Sequence, residues 1–432
     1  MKVDFGLSKF ENKRTQKRDP VTLDLSRTIN GHMMLAGASG TGKTYQLRRI
    51  MSEIARQDPE IRFHVLDIHG DLEVPGASSC KFSETSPFGV NPLKIDSDPH
   101  MGGVRKRARG FIASLNRSGR TLGSKQEATL YDLLVDLYAA FGFQVDDPST
   151  WKIDVDPRQR AKSAKRQPTL GDLRAFAERR LMEMTTGAGS QALDALDGLN
   201  RKVRALQRKG DMGGEAETQE IARLRSECID LYREYVEGIA TGEEISQFIR
   251  HAGRDVLQSV YERVSNLESS GVFRPRRPDF DTNASVFRYD ISAISREEQV
   301  LFVEFVAQEL FFNARRRGQT DRPRHFIVLD ESHAFVSQDP DHVLNSIIRE
   351  SRKFGLGLIL ASQSLGDFPD DIIANTAAKV ILGVDEMFHA PTARKLAIEQ
   401  KRLTWIVPRK TALVQFKRAG DTSNRYIETE LP

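Results

Sequence analysis

The sequence predicts an α/β fold, a mainly parallel sheet flanked by helices, with a helical subdomain inserted into it. Three observations lead there. Short apolar runs such as MMLA (33–36), IRFHVL (61–66) and HFIVL (325–329) read as strands buried on both faces. Those runs alternate with Gly- and Pro-rich turns and helical stretches from about residue 21 to 100, and the same pattern returns from about 285. Between about 124 and 270 the apolar residues instead recur every three or four positions, as in helices.

In chain order, residues 1–20 (MKVDFGLSKFENKRTQKRDP) read as a basic N-terminal arm with no apolar core and no signal-peptide cleavage pattern. Residues 21–123 form the first part of the α/β core and 285–432 the second, ending in C-terminal strands. The insert, 124–284, opens with the capping-box sequence SKQE (124–127) before ATLYDLLVDLYAAFG, and TLGD (169–172) opens another helix the same way. Leu193, Leu196, Leu199, Val203 and Leu206, then Ile221, Leu224, Cys228, Leu231 and Tyr235, predict a helical hairpin turning at Gly210–Gly214, its stripe used for packing. After SVFRYDI (285–291), the SREE box (295–298) starts a helix that leads to HFIVLDE (325–331) and GLGLILASQ (355–363).

Composition excludes several classes. The chain has 432 residues, 39% hydrophobic and 29% charged, as in ordinary globular proteins. No apolar run approaches the ~20 residues that span a bilayer, so a cytoplasmic protein is expected. Two cysteines, Cys80 and Cys228, are too few for a disulfide framework or a zinc site. The net charge of +4 does not by itself indicate nucleic acid. Local clusters are more suggestive: 104–126 holds seven Lys/Arg and no acid, and 158–166 and 314–324 are also basic. Each is a solvated surface taken alone; brought together, with Arg105, Arg107 and Arg109 among them, they would track a phosphate backbone.

Chemistry concentrates in two places. LAGASGTGKT (35–44) contains Gly37-x-x-x-x-Gly42-Lys43-Thr44, the P-loop pattern, between a strand-like run and the amphipathic stretch YQLRRIMSEIA. Its glycines let backbone N–H groups wrap phosphates at a helix N-terminus. Gly37, Ser39, Gly40, Thr41, Gly42, Lys43, Thr44 and Tyr45 are the candidate nucleotide contacts, with Lys43 for the β- and γ-phosphates and Thr44 for Mg²⁺. The second place is the end of HFIVL, where Asp330 suits a water-mediated Mg²⁺ contact and Glu331 the base that polarises the attacking water. Two adjacent carboxylates ending a buried strand repel unless a cation or proton lies between them. In LILASQS (358–364), Gln363 is an amide at the edge of an apparently dry core. With its strand beside that of Asp330, it would donate to the γ-phosphate or the attacking water.

These residues resemble the HerA–FtsK superfamily of P-loop motors, most of all its HerA-like and conjugative type IV secretion branches. The likeness adds DIHGDL (67–72), NPLKI (91–95) and ESRKFGLGLILASQSLGDFPDDIIANTAAKVILG (350–383) to the P-loop, in the family's order. It implies a RecA-like P-loop core that binds ATP and Mg²⁺ and assembles as a homo-oligomeric ring, expected to be a hexamer, with the nucleotide between subunits. It also implies an arginine from the neighbouring subunit, carried over onto Arg352, with Arg349 second; a helix-surface arginine is the alternative. His69 and Asp71 are expected at the same cleft without an assigned role. Only 36 residues precede Gly37, so the N-terminal domains usual in both branches are not expected. Three functions fit the resemblance. The first is a double-stranded DNA translocase acting with a separately encoded nuclease or effector, the second a secretion or conjugation motor at a membrane channel. The third is an ATPase scaffold of a phage-defence complex.

Overall fold

The computed structural model describes residues 1–153, 165–186, 190–209, 215–237, 253–366, 368–421 and 425–432. Eleven strands form one sheet: β1 (Lys2–Glu11), β2 (Arg18–Asp24), β3 (Met33–Gly37), β4 (Arg62–Asp67), β5 (Ser78–Lys81), β6 (Val286–Asp290), β7 (His325–Leu329), β8 (Leu356–Ser362), β9 (Ala378–Gly383), β10 (Thr411–Phe416) and β11 (Ile427–Glu430). Their order is β2-β1-β11-β10-β9-β3-β8-β7-β4-β6-β5. Every pairing from β9 through β5 is parallel; every pairing from β2 through β9 is antiparallel. The expected mainly parallel α/β sheet is therefore present, with each quoted apolar run in a strand.

Central strands bury both faces, which is why their sequences are continuous apolar runs rather than alternating ones. All seven residues of β8 are buried. On one face, Leu35, Val65, Val328, Ile359, Val380 and Val414 join Leu47, Ile50 and Ile54 from helix Lys43–Gln57 in a single core cluster. Helix Arg296–Arg317 starts at the expected box: Ser295 N–H donates to Glu298 Oε2 at 2.7 Å, and Glu298 N–H to Ser295 Oγ at 3.4 Å.

The N-terminal segment departs from the expected arm. β1 pairs with β2 and β11, and Val3, Phe5, Val21 and Leu23 lie in the same core cluster. The cause is a period-two pattern hidden among charges, with the apolar residues on one face of each strand. Gly6, at φ 118°, is required: a Cβ there would lie 2.0 Å from Glu430 O. It sits where the β1–β2 register shifts, at a bulge.

The chain divides into two units, residues 1–90 with 274–432, and residues 91–273. The insert is thus longer at its start than 124–284. Helix Val104–Ser118 belongs to it, its inner face burying Val104, Ala108, Phe111 and Leu115. Within this unit, helix Ser124–Ala140 is capped one residue earlier than the sequence suggested, with Gly123 N–H donating to Gln126 Oε1 at 2.8 Å. The box at Thr169 forms as expected, Asp172 Oδ2 accepting from Thr169 N–H at 2.8 Å. Leu231 packs on Ala192 and Leu193, and Lys202 pairs with Glu220 at 2.8 Å, so helices Ser190–Lys209 and Glu215–Glu237 run antiparallel as a hairpin. Its expected turn, Gly210–Gly214, lies outside the described residues.

Candidate nucleotide site

β3 delivers Gly37 to the carboxyl end of the parallel strands, where ligands of such sheets bind. A Cβ on Gly37 would meet Thr41 Oγ1 at 2.5 Å, so the loop closes only over glycine. Gly40 and Gly42 take φ of 77° and 102°, the left-handed region that glycine enters without strain. Helix Lys43–Gln57 then starts with its amides turned to the loop. Ser39, Gly40, Thr41, Gly42, Lys43, Thr44 and Tyr45 all line a cavity of about 660 Å³; Gly37 lies behind them at the end of its strand. Lys43 Nζ donates to Gly37 O at 2.8 Å and Ala38 O at 3.4 Å, and stands 3.9 Å from Glu331 Oε1.

The strand order places β8 between β3 and β7, so Gln363 leaves the sheet between the loop and the paired acids. Asp330 Oδ2 is 3.4 Å from Thr44 Oγ1. Burial first, and then the Glu331 carboxylate, push the Asp330 carboxyl above its ordinary range. Glu331 sits at φ 51°, ψ 43°, a left-handed conformation that costs a non-glycine residue roughly 1–2 kcal/mol. This turn brings its side chain back to the cavity, where Oε1 accepts from Gln363 Nε2 at 2.9 Å. Glu331 Oε2 is buried, 3.3 Å from His333 Nδ1, and accepts no aligned hydrogen bond. Gln363 itself is exposed rather than at the edge of a dry core, and its partner here is the Glu331 carboxylate. The strand ends at Ser362, so the amide stands clear of the sheet.

His69 and Asp71 also line the cavity. Their loop is held by Asp67, which accepts from the N–H groups of Gly70 at 2.8 Å and Leu72 at 3.0 Å and from Arg288 Nε at 2.8 Å. Two contributors had no readable sequence signal. One is Arg288, whose role is to fix Asp67 and Gly70. The other is Arg409, which lines the cavity at φ 63° and donates from Nε to Gly40 O at 2.9 Å. It lies 369 residues from Gly40 in the chain, beyond any local pattern.

The remaining candidates lie elsewhere. Arg352 is exposed in the turn Ser351–Phe354, before the amino end of β8, and makes no side-chain hydrogen bond or ion pair with the described residues. β8 separates it from Gln363 by roughly 20 Å at ~3.3 Å per residue. Arg349 is held by Asn345 O at 3.3 Å and by Pro340 O. On helix Val104–Ser118, Arg105 is exposed and pairs with Asp146 at 2.8 Å, and Arg109 is exposed beside Tyr131. Arg107 is a correction: it is 8% exposed and donates to Pro92 O, on the same inner face as Val104 and Phe111. Three residues apart on a helix share a face, and here that face is the packed one.

Residues 13–99 match the family model of the helicase HerA central domain. A stretch of 77 residues is 34% identical to the DNA double-strand break repair helicase HerA of Sulfurisphaera tokodaii, 17% of this chain and 15% of that protein. Another of 51 residues is 37% identical to an uncharacterised protein of Aquifex aeolicus, 12% of this chain and 19% of that one. The matches thus span a fifth or less of those relatives' length. In fold, the whole chain superposes on VirB4 of Thermoanaerobacter pseudethanolicus, with a TM-score of 0.64, 14% identity and 96% of that chain covered. Over residues 13–99 this chain is thus similar to the helicase HerA central domain, and over its whole length it shares the fold of VirB4. The plasmid coupling protein TrwB bound to a non-hydrolysable ATP analogue is similar in fold over 100% of the present chain and 95% of its own, at 13% identity and a TM-score of 0.53. At such identities the likeness is one of fold. Among the described residues, no helix is long and apolar enough to cross a membrane.

Proposed function

We propose that the protein is an ATP-hydrolysing, ring-forming motor that moves double-stranded DNA. The observation that carries this is the convergence of Lys43, Thr44, Asp330, Glu331 and Gln363 on one cavity. Thr44 and Asp330 offer two oxygens, in keeping with Mg²⁺, which takes few protein ligands and completes its shell with phosphate and water. Mg²⁺ bound there supplies neutralisation of the phosphate charge. Lys43, held only by loop carbonyls and a distant carboxylate, is the cation for the phosphates. Gln363 orients the Glu331 carboxylate through Oε1, and that carboxylate takes the proton of the attacking water. Arg352, exposed and far from its own cavity, serves a neighbour's site; Arg349 is second, its guanidinium already donating to Asn345 O and Pro340 O. DNA is favoured as cargo by the helicase HerA match and by the exposed Arg105 and Arg109. A separately encoded nuclease is the partner class that fits. Whole-chain likeness to VirB4 favours a second reading, a secretion or conjugation motor.

The test compares two variants. Lys43→Ala should lose ATP binding, whereas Glu331→Gln should bind ATP and turn it over 10²–10⁴-fold more slowly, the usual contribution of a general base. Hydrolysis by Glu331→Gln within a fewfold of wild type would refute the base. Duplex DNA should stimulate wild-type hydrolysis; no stimulation, with copurifying channel proteins, moves the reading to secretion.

A further inference from the structure

A second cavity, of about 530 Å³, lies at the other end of β9 from the nucleotide loop. The two ends of this strand are well separated: Gly383 O accepts from Ala38 N–H of the P-loop at 2.8 Å, whereas Lys379 is the second residue of the strand. Lys379, Arg394, Lys395 and Lys417 line the cavity against one carboxylate, Asp370, and Tyr426 forms part of the wall. The carboxylate is not central, since Asp370 is 92% exposed and reaches only Lys395, at 3.7 Å.

Lys379 is the unusual member. It is 3% exposed, and its ammonium donates to Thr376 O at 2.8 Å and Gln415 Oε1 at 2.9 Å, both neutral acceptors. An ammonium has three protons to place, and a buried one without a counter-charge is costly. Burial, and then the charge of Lys417, pull its pKa down to about 8, and a bound anion would favour the charged form further. Arg394 and Lys417 have no side-chain hydrogen bond or ion pair with the described residues, so their donors are available. Four clustered cations against one exposed carboxylate match a group with several oxygens carrying negative charge.

We propose that this cavity is a phosphate-binding site, and that the phosphate it takes is that of a nucleic-acid backbone. The first half stands on the cavity alone; the second rests on the motor reading. A cavity lined by four cations from β9, the helix His389–Leu396 and the end of β10 suits a phosphodiester, whose contact needs charge and not a particular base.

Two measurements on the full chain decide it, both using Arg394→Gln/Lys417→Gln, which removes two cations at no buried hydrogen bond. In a Lys43→Ala background, where the P-loop is weakened, pyrophosphate should raise Tm by linkage, and adding the double change should remove at least half of that rise. An equal rise in both proteins, or none in either, overturns the site. Next, affinity for a short fluorescein-labelled duplex is followed against salt. The slope of log K against log salt should flatten by about 1, the loss of one neutralised phosphate, while binding of an ATP analogue is unchanged. An unchanged slope, with the pyrophosphate effect intact, overturns the backbone assignment and leaves a free phosphate compound as ligand. If wild type binds no duplex at any salt, the motor reading fails, and pyrophosphate still decides the cavity.

Discussion

The parallel and antiparallel halves of the sheet are built from different kinds of sequence. The parallel half, β9 through β5, holds the P-loop, the paired acids and Gln363, each at the carboxyl end of a strand. The antiparallel half, β2, β1, β11 and β10, carries no motif and joins the two termini of the chain across the sheet. Yet it contributes Phe5 to the common core, and the turn before β10 sends Arg409 to the phosphate loop. The lesson is that chemistry constrains sequence where several functional atoms must follow one strand end. Support can come from anywhere that the fold brings close.

Three substitutions would break or sharpen that contrast. The largest effect is expected within the parallel half, at the end of β8 opposite Gln363. Arg352→Ala should bind nucleotide nearly as wild type and lose 10³–10⁵ in turnover, as with arginines supplied by a neighbour elsewhere. Mixing it with Glu331→Gln should regain activity at interfaces that hold both intact groups. If subunits exchange and nothing returns, Arg352 acts within its own subunit or serves only its turn.

Next comes the antiparallel half as a structural element. Phe5 is 1% exposed and packs against Phe416 with ring centroids 5.4 Å apart. Phe5→Ala should lower stability by about 3–5 kcal/mol through the cavity it leaves, read from the denaturant midpoint. A loss under ~0.5 kcal/mol is what a solvated arm would show, and would return β1 to that description.

The smallest effect concerns a contact from the antiparallel side to the phosphate loop, that of Arg409 with Gly40 O. Arg409→Ala should weaken binding of a fluorescent ATP analogue about tenfold, near the ~1.4 kcal/mol of one charge-assisted hydrogen bond. Unchanged affinity and turnover would confine the chemistry of the site to the parallel half.

The sequence by itself determined the α/β class, the parallel strands, the inserted helices and the nucleotide loop. Each of these is a local pattern: strands buried on both faces are continuous apolar runs, and a phosphate loop needs glycines at fixed spacing. The order of Lys43, Thr44, Asp330 and Glu331 in the site was legible for the same reason. Tertiary structure decided what depends on distant neighbours. Val3 and Phe5 alternate with charged residues, and whether that face is buried rests on β11, more than 400 residues away. Arg107 carries the same charge as Arg105 and Arg109, but only the packing of its helix turns it inward to Pro92 O. The partner of Gln363 followed from a left-handed turn at Glu331, a conformation that no residue preference announces and that the surrounding strands impose. Lys379 and Lys417 are 38 positions apart and meet only because β9 and β10 pair antiparallel, since cross-strand neighbours are set by register and not by spacing in the chain.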